Sequence, residues 1–229
     1  MGDSSVNYET IEGEGKRGGE EAPFPLTDID RWVLAQTDEE FHLHGWEELK
    51  GIVARNSLEV LKRKPSDLRR YMDWTALIKS QYGSTTNYLL QCRLSSWGSP
   101  PFAYVSPIPF SCPEDFKILR NDWPYGLTSD ITHLVVWSKT PIAVDETTGD
   151  MSVESRMVIE EFVERMFVHR LGEGGKERVV WFKNWVSLQS VRALEHVHVL
   201  VKDAREEDLL FWTGEKRRGG GGDQMEDGC

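Results

Sequence analysis

Residues 133–137 read His-Leu-Val-Val-Trp, a short run of β-branched, apolar and aromatic residues with no helical period. Such a run, flanked by Thr132 on one side and Ser138-Lys139 on the other, predicts a buried strand. Phe116–Arg120 upstream and Arg178–Phe182 and Val197–Val201 downstream have the same character. Between them, Val153–Arg170 spaces Ile159, Phe162, Val163, Met166 and Phe167 as one face of an amphipathic helix. Gly172-Glu173-Gly174-Gly175 ends it. The order strand, helix, strand, loop, strand predicts an α+β fold, an antiparallel or mixed sheet with packed helices.

Further upstream the pattern is helical from Thr37 to about Leu94. Thr37 caps Asp38, Glu39 and Glu40, after which Phe41, Leu49, Ile52 and Val53 share a face. Pro65-Ser66-Asp67 opens a second helix carrying Leu68, Tyr71, Met72, Thr75 and Ile78, which stops near Gly83; Thr85–Leu94 predicts one more. Residues 95–115 contain five prolines and predict a connector along the surface, since proline suits neither a long helix nor a central strand. The expected organisation is an acidic disordered tail (1–24), one folded unit (25–212) and a Gly-rich disordered tail (213–229). Within the unit lie a helical part (37–95), a connector (96–115) and a sheet-bearing core (116–212).

A hydrophobic fraction of 39%, with nine Trp and nine Phe, supplies one sizeable core. The net charge of −11 disfavours non-specific attraction to nucleic acid or anionic membranes. No apolar run approaches the ~18–20 residues of a membrane span, and the first residues lack a secretory stretch. Cys92, Cys112 and Cys229 form no CxxC pair, a pattern suited to a reducing compartment. The expectation is a cytoplasmic or nuclear protein, with Lys216-Arg217-Arg218 in a solvated tail.

Polar functionality concentrates at three places: Asn121-Asp122-Trp123-Pro124-Tyr125-Gly126, Thr132–Lys139, and Asn184 to His198. The strings LRNDWPYG, ITHLVVWSK, and WFKNW with VSLQSVRALEHVHVLV resemble the fungal N-acetylglucosamine-induced protein family, over most of residues 37–212. A second resemblance is to histidine-triad nucleotide hydrolases and transferases. His133 to Lys139 is similar to one of their strands, with Ser138 where proline is usual. Gln189-Ser190-Val191 followed by His196-Val197-His198 is similar to the triad segment. That segment is one residue longer here, and Leu194 stands where the first triad histidine would be. This resemblance implies a histidine-triad-like core, catalysis by His196 and His198, and substrate contacts from Asn121, His133, Lys139, Asn184, Gln189 and Ser190. It implies a nucleotide or nucleotide-sugar ligand, no cofactor, no nucleic-acid or membrane partner, and leaves a homodimer open.

Independently of any family, residues two apart on a strand point to one side. His196 and His198 therefore present two imidazoles about 7 Å apart along the strand. A neutral imidazole can attack phosphorus, and Gln189, Ser190 and Asn184 can donate to the charge that develops. Either histidine fits the nucleophile position, depending on register. The same pair reads equally as a satisfied structural couple, or, with His133, as metal ligands. A non-catalytic binding protein retaining the pocket is the alternative to an enzyme. His42 and His44 predict surface residues pointing apart, and no P-loop, GxSxG or dinucleotide fingerprint is present.

Overall fold

The computed structural model describes residues 26–145, 147, 150–185 and 188–215. Among these, four strands form one antiparallel sheet in the order β1-β2-β4-β3: β1 Phe116–Arg120, β2 Ile131–Ser138, β3 Val179–Phe182 and β4 Glu195–Lys202. All three pairings are antiparallel, so the fold is α+β. The two long strands are central, and their alternation decides which residues meet. Leu119, Val135, His198 and Phe182 form one row across the sheet; Lys117, Trp137 and His196 form the next on the same face. Ile118, Val136 and Val197 point to the other face.

That second face is closed by α5 (Val153–Val163), which continues through a π turn (Glu164–Val168) into α6 (His169–Leu171), and by α7 (Glu206–Thr213). Ile159, Phe162, Phe167, Leu209 and Trp212 pack there against Leu134, Val136, Val197, Val199 and Val201. Ser152 caps α5 by accepting from the Ser155 N–H. Phe110, from the proline-rich segment, is fully buried in the same cluster and stacks on Phe162 at 4.8 Å. The connector is thus not confined to the surface: one aromatic of sufficient size anchors it in the core.

The first face is covered by the N-terminal helices α1 (Asp28–Leu34), α2 (Trp46–Ala54), α3 (Pro65–Tyr82) and α4 (Thr85–Tyr88), the last running into a π turn at Leu89–Arg93. Trp46, Leu49, Ile52, Leu58 and Leu61 pack with Ile131, Phe182 and Leu200 of the sheet. α3 begins at Pro65 and ends at Gly83, whose φ of 79° relieves the last turn. The helix expected from Thr37 does not form. Thr37 and Glu40 exchange capping bonds around a single turn, and then His44 pairs as an extended residue, donating its N–H to Gly126 O and accepting from Thr128 N. The backbone partners offered by residues 126–128 outcompete helical ones, so α2 starts only at Trp46. The expected tails, residues 1–24 and most of 213–229, lie outside the described residues.

Candidate functional site

A cavity of about 190 Å³ lies between the first face of the sheet and the N-terminal helices. Its floor includes Leu119, Val135, Trp137, His196 and His198. Its walls come from α3, from the Asn121–Tyr125 loop and from Asn184, Leu188, Ser190 and Val191 ahead of β4.

The antiparallel pairing of β2 with β4 brings the histidines together. His133 Nε2 lies 2.9 Å from His198 Nδ1, and the His196 and His198 ring centroids are 5.3 Å apart. Asn184 Nδ2 donates to His198 Nε2 at 3.1 Å and to the Tyr125 hydroxyl at 3.1 Å. Accepting at Nε2 leaves the His198 proton on Nδ1, where it is donated to His133. Asn121 Nδ2 lies 3.2 Å from His133 Nε2 and 3.3 Å from its Nδ1, and Tyr125 stacks on the His133 ring at 5.1 Å.

His196 is arranged differently. Its Nδ1 lies 2.8 Å from the Leu194 carbonyl oxygen, which can only accept. The ring proton therefore sits on Nδ1, and the lone pair on Nε2 is free of any hydrogen bond to a described residue. Burial holds all three imidazoles neutral. It pushes His133 down to about 3, with Arg63 adding to the effect. It pushes His196 down to about 4, against the opposing bond to Leu194. His198 falls well below the ordinary histidine value through burial, then through His133, His196 and Arg63.

Of the residues singled out in the sequence, Asn121, Asn184, Ser190, His196 and His198 line the cavity. His133 lies behind His198. Gln189 does not line the cavity; its Nε2 donates to the Asn184 backbone oxygen at 2.7 Å and holds that residue in place. Lys139 lies outside, with its ammonium 5.8 Å from the Trp97 ring centroid, because Ser138 ends β2 and the chain turns away. The Asn121 loop is both a turn and a wall: Asn121 Oδ1 accepts from the Trp123 N–H at 2.9 Å.

Arg63 and the aromatic wall had no signal in the sequence, and Trp123, although inside the Asn121–Gly126 stretch, had no role assigned there. Arg63 lines the cavity, its Nε donates to the Trp123 carbonyl at 3.2 Å, and its guanidinium lies 4.0 Å over Tyr71. It forms no ion pair among the described residues. Trp74 lies 5.5 Å from Trp123 and 5.4 Å from Tyr88. Three buried polar atoms of cavity-lining residues, Arg120 Nε, Trp123 Nε1 and Asn184 Oδ1, have no hydrogen-bond partner among the described residues. Buried polar groups are ordinarily satisfied, so two unused donors and one unused acceptor on residues around one cavity favour a polar ligand there.

The sequence model of a family described as "Protein of unknown function (DUF3605)" matches residues 45–202. The chain belongs to this family. It is 33% identical over 175 residues to N-acetylglucosamine-induced protein 1 of Candida albicans, covering 69% of this chain and 68% of that protein. It is 30% identical over 164 residues to an uncharacterized protein of Saccharomyces cerevisiae, covering 70% and 80%. The crystal structure of HTC1 superposes with a TM-score of 0.57 at 26% identity, covering 71% of this chain and 86% of that one. The DUF3605 match contains all three clustered histidines, Arg63 and the Asn121 loop, and ends at the last residue of β4. No described helix is long and apolar enough to cross a membrane.

Proposed function

We propose that this chain is a histidine-triad-like nucleotidyl transferase or phosphohydrolase that acts on a nucleotide or nucleotide sugar, with His196 as nucleophile. The observation that carries the reading is the Nδ1 contact of His196 to the Leu194 carbonyl at 2.8 Å. It fixes the tautomer whose bare Nε2 belongs to a residue of the cavity floor, on a ring that burial keeps neutral. In the first step Nε2 forms a bond to phosphorus while the bond from phosphorus to the leaving oxygen breaks, and that oxygen takes the electron pair. In the second, water or an acceptor hydroxyl bonds to phosphorus, the P–N bond breaks and the pair returns to Nε2. The proton released by the incoming oxygen balances the one taken up by the leaving group. Arg63, Asn121 and Trp123 Nε1 supply positive charge and donors for the phosphoryl oxygens, and the Trp74–Trp123 wall supplies a stacking surface for a base. The name of the Candida albicans relative makes an N-acetylglucosamine nucleotide the first substrate to try.

His196→Ala should abolish turnover of a nucleotide and nucleotide-sugar panel while the melting temperature and nucleotide affinity stay near those of the unaltered protein. Full turnover by that variant would remove the nucleophile assignment.

One observation favours a second reading, a non-catalytic nucleotide- or sugar-phosphate-binding regulator. Leu194 is buried at the position of the first triad histidine, and both His198 nitrogens are already engaged. Ligand-induced thermal stabilisation with no turnover in the unaltered protein would select it.

A further inference from the structure

Outside the cavity, the segment His42–Glu48 holds a second group of chemically competent side chains. The nearest ligand atoms of His42, His44 and Glu48 all lie within 4.8 Å of one another. His42 Nε2 is 2.7 Å from one Glu48 carboxylate oxygen, and His44 Nδ1 is 2.8 Å from the other. The two histidines were expected to point apart, as on a helix. They converge instead because residues 42–44 are not helical, while Glu48 reaches back from the first turn of α2. Glu48 occupies the third helical position, where a carboxylate commonly caps the helix. Here α2 has no side-chain cap, and the carboxylate is turned to the imidazoles.

His44 adds a second, independent observation. Its Nδ1 is buried and makes no hydrogen bond of acceptable geometry, although Glu48 Oε1 is close enough for one. The separation suits a hydrogen bond and the direction does not, so Nδ1 faces the carboxylate without a well-directed partner. The His44 backbone is pinned on both sides, by its N–H to Gly126 O at 3.0 Å and by Thr128 N to its carbonyl at 3.1 Å. One ligand is therefore held by β-type bonds and another by a helix, and His42, 71% exposed, is free to adjust.

We propose that His42 Nε2, His44 Nδ1 and a Glu48 carboxylate oxygen bind a divalent transition-metal ion, with zinc the ion this donor set fits. Two imidazoles and one carboxylate are a nitrogen-rich, borderline set that suits zinc and not magnesium or calcium. Zinc at about 2.0–2.2 Å from each donor requires separations of roughly 3.3–3.5 Å, which small side-chain rotations of His42 and Glu48 reach. Three protein ligands leave the fourth tetrahedral position to water. The ion ties residues 42–48 to the 126–128 backbone, and thereby to the loop whose Asn121, Trp123 and Tyr125 wall the cavity. Its role is to brace that wall, and it does not depend on the chemistry assigned to His196.

Titrating zinc into metal-free full-length protein by calorimetry, with melting temperatures in parallel, tests this. The expected result is saturable uptake of about one zinc per chain together with a higher melting temperature. His42→Ala and Glu48→Gln should each weaken binding roughly tenfold or more, whereas His196→Ala and His198→Ala should leave it unchanged. The exposure of His42 keeps its variant folded. No saturable uptake, uptake indifferent to His42→Ala and Glu48→Gln, or uptake lost in the His196 or His198 variants would each overturn the proposal.

Discussion

At the scale of single residues, the three clustered histidines tie stability to pH. Each titrates near 6.5 when unfolded and well below that when folded, because burial opposes the charged form. Above about pH 6.5 both states are neutral and the full stability is present. As the pH falls toward 4, the unfolded chain binds protons that the folded chain refuses, and each such histidine costs about 1.4 kcal/mol per pH unit. The melting temperature should therefore fall steeply between about pH 6.5 and 4, and a His133→Asn, His198→Asn double variant should show a flatter profile over that window. An unchanged slope in the double variant would mean that other groups set the acid limit. The pairing of His196 with His198 was legible in the sequence because strand period alone puts both on one face. The Leu194 contact was not, since nothing in residue order fixes the χ angles that turn Nδ1 back onto the chain. Arg63 was equally hidden: it precedes α3 in a basic stretch that reads as solvated surface, and its place at the cavity follows only from the packing of α3.

At the scale of elements, strands and helices with strong local signals fell where periodicity put them, as with α3 between Pro65 and Gly83 and β1 at Phe116–Arg120. The failure at Thr37 has a physical cause. A capping signal nucleates a turn, but propagation depends on the backbone groups that follow, and those of His44 found partners at Gly126 and Thr128. This contact leaves little room at Gly126, where an added Cβ would lie 2.4 Å from Phe41 Cε1 and 3.3 Å from the Lys62 carbonyl oxygen. Gly126→Ala should lower stability by about 1–3 kcal/mol and, on the function proposed above, weaken nucleotide binding, because the Asn121–Tyr125 wall must shift. Chemical denaturation and ligand titration on this one variant check both effects. Wild-type values in both would show that Phe41 swings away freely.

At the scale of the whole molecule, the partition into helical part, connector and sheet describes the order of the sequence and not independent bodies. The N-terminal helices share one buried cluster with Ile131, Phe182 and Leu200, and the connector contributes Phe110 to the cluster on the opposite face. Calorimetric unfolding should accordingly show one transition for the described region, coincident by near- and far-ultraviolet circular dichroism. Two separated transitions would restore the division that the sequence suggested. The antiparallel pairing of β2 with β4 has a further bearing on how this molecule comes into being. Strands whose residues stand more than sixty positions apart, as His133 and His198 do, must close a long loop before any contact compensates the lost chain entropy. The histidine cluster therefore belongs to the late part of folding. During synthesis, the N-terminal helices and the β1–β2 hairpin are complete while the site has only one of its three imidazoles, and the apolar face awaiting β4 stays open to water until residues 195–202 have been made.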